Sequence, residues 1–414
     1  MKRRTKRIFI GALIFLLLFG GGLGYFYKTF ASQMSEFPER WQLLRDIYFV
    51  ISNYYVDDVD KDKLITGAIE GMVEELDPYS TYLEPKEYED LQSDLLEGVF
   101  GGVGISITIR DDKLTIVTPI KDTPGERAGL MAGDIITEVD GKSTDGISTD
   151  TAVKWMRGEP GTDVTLTIKR EGEEPKKVEI TRALIEVPYI DYELKEDQIG
   201  YLNVVQFGSG VGMEIQDAMK DLSKQGAKGI IMDLRNNPGG LLNEAVNVSS
   251  NFIQDGPVVH VKHREGIEDT YEINQMYKHY DLPVVILVNG GSASASEIVS
   301  GAMQDTGRGL LVGNTTFGKG TVQNIVPLSD GSAFKMTTAR YYTPEHRFIH
   351  EDGIEPDVKL EINIERFTEK SEDNQLIKAE ELLKEMMNGK NVKELKEEYK
   401  STKEEKEKVE KPAA

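Results

Sequence analysis

The pattern of apolar and polar positions divides the first half of the chain into two regions of different character. From residue 36 to 92, apolar residues recur at three- and four-residue spacing in "WQLLRDIYFVISNYYV" and "DKLITGAIEGMVEELD", which predicts amphipathic helices. From residue 98 to 184, short β-type runs such as "VGISITI" and "DVTLTIKR" predict a sheet, with one helix over "STDTAVKWMRG". We expect the first region to pack or dimerise rather than to catalyse.

Residues 185 to 365 alternate continuous apolar strands with helix-like segments. "GIIMDLR" is followed by "GGLLNEAVNVSSNF", and "PVVILVNG" by "ASASEIVSGAMQD". This order predicts an α/β domain with a largely buried sheet, closed by hairpin-like strands over "GTVQNIVPL" and "SAFKMTTARYYT". After Phe367 the chain is rich in Glu and Lys, with no leucine or methionine after Tyr399, which predicts one or two surface helices and then an unstructured tail.

The N-terminus carries an uncharged run, residues 8–27, after the basic "MKRRTKR". This run is long enough to span a bilayer, and Tyr25 and Tyr27 at its far end fit an interfacial anchor. A cleaved signal peptide is the alternative, but "TFAS" is a poor cleavage site. We therefore expect a single-pass cell-membrane protein whose remaining chain lies on the extracytoplasmic side.

Composition excludes several classes of function. A formal net charge of -22 argues against binding nucleic acid through a basic surface. The chain contains 0 Cys, so it has no disulfide framework, no thiol nucleophile and no cysteine metal site. The length of 414 residues is enough for two or three domains.

Three serines follow the apolar strand "PVVILVNG", namely Ser292, Ser294 and Ser296. They lie at a predicted strand-to-helix turn, where unpaired N–H groups and the helix dipole would stabilise a developing oxyanion. The run from Ser294 to Glu297 also fits a capping box, which is a purely structural alternative.

A nucleophilic serine needs a base, and histidine is the usual one. None of the 5 His lies in a recognisable triad motif, and the chain has no G-x-S-x-G elbow. His260 and His263 in "HVKH" could suggest metal ligands, but we favour a partly exposed strand as their explanation and expect no metal site.

Lys319 is the other candidate base, within "GNTTFGKGTVQ". This stretch nearly matches a phosphate-binding loop, except that Gly320 stands where the hydroxyl residue should be. A lysine base requires its pKa to fall from ~10.4 to roughly 7 to 8, which burial without a carboxylate partner can supply. Gln323 could orient the amine by a hydrogen bond if Gly318 and Gly320 bend the chain.

The turn "LRNNPGG" ends another apolar strand and exposes backbone N–H groups at the start of the next helix. It is a second potential oxyanion element, with an ordinary strand-to-helix turn as the alternative.

Residues 98–184, with "GERAGLMAGD" in their middle, resemble a PDZ domain. Where PDZ domains bind a terminal carboxylate the sequence has Phe100, Gly101, Gly102, Val103, Gly104 and Ile105.

Together, "DPYSTYL", "FGGVGI", "DLRNNPGG", "GSASASE", "FGKGTVQ" and "ARYYTP" resemble the C-terminal processing (tail-specific) peptidases, over about three hundred residues in one order. The resemblance implies a serine endopeptidase that cleaves proteins near or from their C-termini. It makes Ser294 the nucleophile, Lys319 the general base and Gln323 the residue that orients it. The backbone N–H of Ala295 and that of Gly240 would form the oxyanion hole, with Gly239 as the alternative to Gly240.

The same resemblance implies an α/β (α+β) multidomain fold with a crotonase/Clp-protease-like core. The expected boundaries are 1–33 for the basic tip and anchor, 34–97 for the helical region, 98–184 for the PDZ domain, 185–366 for the protease core and 367–414 for the charged helices and tail. The PDZ domain would recognise or gate C-terminal tails, with Arg157 either reading the carboxylate or remaining a solvated arginine. We expect no cofactor. We expect the protein to form a homodimer or a higher homo-oligomer.

Two other functions remain open at the level of sequence. One is a catalytically inactive PDZ scaffold on a protease fold, although serine, lysine and glutamine are all present. The other is nucleotide binding at residues 313–320, which an extracytoplasmic location disfavours.

Overall fold

The computed structural model describes residues 38–97, 99–110, 113–120, 122–131, 133–147, 149–170, 172–186, 188–363 and 372–410. The chain divides into two compact units after Thr81. The predicted anchor, residues 8–27, lies outside the described residues. Within the ranges given above, no helix is long and apolar enough to cross a membrane.

The first unit contains two helices, as the apolar spacing predicts. Helix α1 spans Pro38–Tyr54 and α2 spans Lys61–Glu74. Asp60 begins α2 as an N-cap, because its carboxylate accepts the N–H groups of the first helical turn. Large apolar side chains of α1, including Trp41 and Phe49, are about half exposed.

The second unit begins with the last part of the predicted helical region, residues 82–97, and continues into the region predicted to be a PDZ domain, residues 98–184. Its elements are β1 Thr81–Leu83 at the boundary, α3 Pro85–Glu97, β2 Val99–Gly102, β3 Ile105–Arg110, β4 Lys113–Pro119, α4 Pro124–Arg127, β5 Ile135–Val139, β6 Lys142–Ser143, α5 Thr149–Met156, β7 Asp163–Lys169, β8 Lys176–Thr181 and β9 Ala183–Glu186. The sheet order is β3-β4-β5-β7-β8, so β3 is an edge strand. Strands β2 and β9 pair with each other.

A buried ion pair stabilises this sheet. The guanidinium of Arg170 contacts both oxygens of Asp134, at 2.7 and 2.8 Å. Burial alone would raise the pKa of the Asp134 carboxyl, but the hydrogen bonds from Arg170 and from the Met131 N–H outweigh it and hold that pKa below its usual value. The carboxylate therefore remains charged in the folded domain.

The α/β core follows in the predicted order. It contains β10 Ile190–Leu194, β11 Ile199–Val204, α6 Val211–Gln225, β12 Gly229–Asp233, α7 Leu242–Ser250, β13 Pro257–His263, β14 Glu268–Glu272, β15 Val284–Val288, α8 Ala295–Asp305, β16 Leu310–Gly313, β17 Thr321–Pro327, β18 Ala333–Tyr342, β19 Val358–Lys359, α9 Asn374–Met387 and α10 Val392–Glu410. The main sheet has the order β10-β11-β12-β15-β16-β19 and is parallel apart from β10. All residues of β12 and β15 are buried, as expected of strands covered on both faces.

A second, antiparallel sheet carries the predicted hairpin. Strand β17 pairs with β18, β18 with β13, and β13 with β14. Side chains of this sheet, such as Val259 and Tyr341, share one hydrophobic core with helices α6, α7 and α8 and with the main sheet. The core therefore lies between the two sheets.

The C-terminal helices differ from the prediction. Helix α9 is not simply a surface helix, because Ala379, Leu383 and Met386 recur at helical spacing and cover the other face of the main sheet. Helix α10 continues through the leucine-free segment after Tyr399 as far as Glu410. Its many Glu and Lys residues are strong helix formers, so their charge does not end the helix.

Candidate active site

Ser294 occupies the N-cap of α8, in the turn that leaves the carboxyl end of β15. Its backbone has φ 54° and ψ -113°, in the positive-φ half of the map that non-glycine residues rarely enter. Such conformations are held by surrounding structure and cluster at functional sites. The Ser294 side chain is partly exposed.

The neighbouring serines have structural partners instead. The Ser292 hydroxyl donates to the Leu234 carbonyl at 2.7 Å, and the Ser296 hydroxyl donates to the Asn237 carbonyl at 2.9 Å. Both side chains are fully buried. Of the three predicted candidates, only Ser294 is partly exposed.

Glu297 joins the serine turn to the lysine loop. Its buried carboxylate accepts the Ser294 N–H at 2.9 Å, the Lys319 N–H at 2.9 Å, the Gly318 N–H at 2.7 Å and the Thr316 hydroxyl at 2.6 Å. One oxygen, Oε2, accepts both the Ser294 and the Lys319 N–H. The capping-box alternative is therefore correct in that Glu297 reaches back to Ser294, but the same group also fixes the segment that carries Lys319.

Tyr341 on β18 makes a second connection between the same two segments. Its hydroxyl lies 3.2 Å from the Ser294 carbonyl oxygen and donates to the Lys319 carbonyl oxygen. The sequence gives little indication of this role, because Tyr341 lies within a strand and only the fold brings it to the turn.

The glycines beside Lys319 are required by close backbone packing as well as by a bend. A Cβ on Gly318 would lie 2.9 Å from the Glu351 carbonyl carbon, and one on Gly320 would lie 2.8 Å from the His350 nitrogen. The Gly318 and Lys319 N–H groups, which a phosphate-binding loop would direct at phosphate, donate to an internal carboxylate. This geometry contradicts the nucleotide-binding alternative.

Gln323 lies on β17 directly after an irregularity in its pairing with β18 between Val322 and Gln323. Its amide nitrogen donates to the Thr321 and Thr337 hydroxyls at 2.9 and 3.2 Å. These bonds fix the orientation of the amide, so its carbonyl oxygen is the group that can accept from an amine.

The two glycines of the "NPGG" turn have different neighbours, since a Cβ on Gly240 would meet Phe207 rather than the serine. A Cβ on Gly239 would lie 2.7 Å from the Ser294 Cβ and 2.9 Å from the Ala295 nitrogen, so the turn contacts the serine directly. The Gly239 N–H already donates to the Asn237 side chain at 2.9 Å. The N–H groups of Gly240 and Ala295 have no acceptor among the residues that the structure describes.

The PDZ-like region has an apolar groove at the predicted carboxylate loop. A cavity of about 80 Å³ is lined by Phe100, Gly102, Val103, Gly104, Ile105, Val153, Met156 and Arg157. The groove thus lies between the edge strand β3 and helix α5. The Arg157 guanidinium stacks 4.3 Å above the Phe100 ring, which places a positive charge at one end of the groove.

Comparison with protein families agrees with this architecture. Residues 198–360 match peptidase family S41, residues 115–170 match the PDZ domain, and residues 26–87 match the activating protease CtpB N-terminal domain. The chain belongs to peptidase family S41, and it is a protease with an α/β core and a PDZ domain. The fold class predicted from the sequence is confirmed, as is the resemblance to the C-terminal processing peptidases.

Several named proteins are similar over most of their length. The carboxy-terminal-processing protease of Bartonella bacilliformis is 42% identical over 325 residues, covering 76% of this chain and 74% of the relative. The carboxy-terminal processing protease CtpA of Bacillus subtilis is 36% identical over 371 residues, covering 87% and 78%. The solved structure of a photosystem II D1 C-terminal processing protease has a TM-score of 0.58 and 33% identity, covering 78% of this chain and 86% of that one.

Proposed function

We propose that this protein is a serine endopeptidase that cleaves substrate proteins near or from their C-termini, with Ser294 as nucleophile, Lys319 as general base and Gln323 orienting the lysine. The observation that carries the proposal is the pair of hydrogen bonds to one oxygen of Glu297, from the Ser294 and the Lys319 N–H. Two chain segments separated in sequence are held at one point by a buried carboxylate, as a two-residue catalytic unit requires.

The reaction is acyl transfer. The neutral Lys319 amine takes the proton from the Ser294 hydroxyl as Oγ attacks the scissile carbonyl carbon, and a tetrahedral oxyanion forms. The resulting ammonium returns a proton to the leaving amine as the C–N bond breaks. The amine then activates water, which hydrolyses the acyl ester and regenerates Ser294. In each of these steps the proton is carried by the Lys319 amine. The proposed mechanism therefore requires no metal or organic cofactor.

The oxyanion is stabilised by the backbone N–H groups of Ala295 and Gly240. Both lie at helix or turn positions without an acceptor in the described part of the chain. Gly239 is the weaker candidate because its N–H already bonds the Asn237 side chain. An N–H group that has no internal hydrogen bond to break stabilises the oxyanion of the transition state more than one that has.

The PDZ domain delivers or gates the substrate's C-terminal tail. The edge of β3 allows a peptide to add a strand, and the apolar lining favours apolar terminal residues. Arg157, held over Phe100, pairs with the terminal carboxylate. The related proteins named above carry C-terminal processing in their names, which supports the same class of substrate.

Location and assembly follow from the N-terminal part. The apolar run at residues 8–27 anchors the protein in the cell membrane, with the protease on the extracytoplasmic side. Exposed apolar residues of α1, such as Trp41, Ile47 and Phe49, contact a second copy of the chain in a homodimer or higher oligomer.

Cleavage of an unfolded substrate protein by the full-length chain tests the catalytic assignment. Ser294→Ala and Lys319→Ala should each lower kcat/KM by about a thousandfold or more. Ser300→Ala is the matched control, because the buried Ser300 hydroxyl on the same helix has no hydrogen-bond partner in the ranges described. Equal activity in all variants would refute the Ser-Lys assignment, whereas peptide binding without cleavage by the wild type would favour an inactive PDZ scaffold.

A further inference from the structure

We propose that His260, Glu268 and His346 form a binding site for a divalent transition-metal ion, separate from the catalytic chemistry. His260 lies on β13, Glu268 begins the neighbouring strand β14, and His346 lies in the turn that follows β18. One potential ligand atom of each residue lies within 4.8 Å of the other two. The three residues come from three different chain segments, so the fold rather than the local sequence brings them together.

The distances are close to those of a bound ion. The Glu268 Oε1 atom is 3.7 Å from the His260 Nδ1 atom and 3.9 Å from the His346 Nδ1 atom. Zinc bonds of ~2.0 to 2.2 Å in a tetrahedral site place ligand atoms roughly 3.3 to 3.6 Å apart. A contraction of a few tenths of an ångström therefore brings the Glu268 oxygen to ligand spacing from each Nδ1 atom. The histidine ligand atoms, which lie within 4.8 Å of each other, must approach as well.

Two of the three side chains have the freedom that this contraction needs. The His260 side chain is 9% exposed and fixed in the sheet, whereas Glu268 is 37% and His346 58% exposed. The two imidazole rings are stacked with centroids 4.0 Å apart and planes at 16°. Because a lone pair lies in its ring plane, the exposed His346 ring must tilt to direct Nδ1 at a shared ion.

The buried histidine is already held in a suitable orientation. Its Nε2 atom faces the Pro344 carbonyl oxygen at 3.4 Å, and a proton on Nε2 leaves the lone pair on Nδ1, the atom nearest Glu268. Metal-binding histidines commonly donate their second ring N–H to a backbone carbonyl in this way. The Thr270 hydroxyl, 2.9 Å from Nδ1, is the donor that an ion would displace.

The chemistry of the ligands selects the class of ion. Two imidazoles and one carboxylate suit zinc, cobalt or nickel, whereas calcium and magnesium prefer oxygen ligands. Three protein ligands leave a fourth position for water. The carboxylate also gives the cluster a negative charge that a divalent cation offsets when both imidazoles are neutral.

The backbone of His346 is consistent with a constrained position. Its φ of 57° is rare for a residue other than glycine, and its N–H donates to the Thr343 carbonyl at 2.8 Å. An ion at this site would connect the β13–β14 hairpin to the turn that follows β18, and would stabilise the antiparallel sheet without contacting Ser294.

Zinc titration of the untagged full-length protein by calorimetry tests this site. We expect one zinc per chain, and a visible ligand-field spectrum when Co²⁺ replaces it. His346→Ala and Glu268→Gln should each weaken binding at least about tenfold, since loss of even an indirect partner costs 10- to 100-fold. The control is His263→Gln on the same hairpin. The His263 ring pairs with Asp269, at 2.9 Å, and is not part of the cluster, so this variant should bind zinc as the wild type does.

Thermal unfolding separates loss of the site from loss of the fold. Without metal, all variants should melt near the wild-type temperature, and zinc should raise the melting temperature only in the wild type and His263→Gln. The proposal is wrong if the wild type binds no stoichiometric zinc, if His346→Ala binds it equally well, or if His263→Gln loses it to the same extent.

Discussion

Replacing Glu297 by glutamine is the sharpest test of how the active site is held together. The wild-type carboxylate accepts from Ser294, Gly318, Lys319 and Thr316 and is fully buried. A glutamine keeps the shape but replaces one oxygen by an NH₂ group. If the NH₂ group takes the place of Oε2, it faces two N–H donors, those of Ser294 and Lys319. If it takes the place of Oε1, it faces one N–H donor, that of Gly318, because the Thr316 hydroxyl can rotate and accept from the NH₂ group.

The less costly orientation sets the size of the effect. It leaves the Gly318 N–H without an acceptor, which costs about 1 to 3 kcal/mol for a buried group. The bonds from Ser294 and Lys319 remain but lose their charge assistance, about 1 kcal/mol each. We therefore expect Glu297→Gln to lower the free energy of unfolding by about 3 to 5 kcal/mol.

Activity should fall further than stability explains. Release of the Gly318 bond shifts the loop that carries the lysine, and small displacements of a catalytic group can cost about a hundredfold in rate. The assay is kcat/KM on an unfolded substrate, measured where urea titration shows that the variant is folded. Glu244→Gln is the matched control, because the Glu244 carboxylate likewise accepts two backbone N–H groups, from Gly210 and Gly212. A folded Glu297→Gln variant with wild-type kcat/KM would refute the reasoning.

Three further changes test other parts of the structure. Gly239→Ala places a Cβ 2.7 Å from the Ser294 Cβ at φ +103° and should lower kcat about 10²- to 10³-fold. The control is Gly226→Ala, at φ +95°, where the Cβ would make only an ordinary 3.6 Å contact with the Gln198 side chain; it should lose about 1 to 2 kcal/mol of stability and no activity. The wild type should have a KM about tenfold lower for peptides with a free C-terminal carboxylate than for the same peptides amidated, and Arg157→Ala should abolish this difference. The lowered pKa of Asp134 contributes stability above its unfolded pKa of ~3.9, and this is lost as pH falls through the folded value. The Asp134→Asn variant should therefore have a lower free energy of unfolding than the wild type near neutral pH, and that free energy should fall less steeply as the pH is lowered. Urea unfolding followed by tryptophan fluorescence at several pH values measures both.

The local sequence was sufficient for the elements of the core but not for all of their packing. The continuous apolar strands and the "NPGG" and "SASASE" turns predict a parallel sheet with reactive groups at its carboxyl edge, and the structure has that sheet. The surface position expected for α9 is wrong, because leucine and alanine spaced among many charged residues are also typical of a surface helix, and only the fold supplies the sheet face that they cover.

The supporting groups of the candidate site depend on contacts between distant segments. Glu297 was visible only as one end of a capping box, since nothing in the pattern shows that residues 316–319 return to the same carboxylate. Tyr341 and the cluster around His260 depend in the same way on sheet pairing. His260 was expected on a partly exposed strand, but the turn after β18 covers it.

The role of Lys319 as the base can be tested by changing the basicity of that one amine. The chain contains 0 Cys, so Lys319→Cys introduces a unique thiol that 2-bromoethylamine converts to an amine-bearing lysine analogue, which is a weaker base than lysine. We predict that Lys319→Cys is inactive, and that alkylation restores cleavage with the acidic limb of the pH profile of kcat/KM moved to lower pH. Full activity of the unalkylated variant, or restored activity with an unshifted acidic limb, would contradict a lysine base at residue 319.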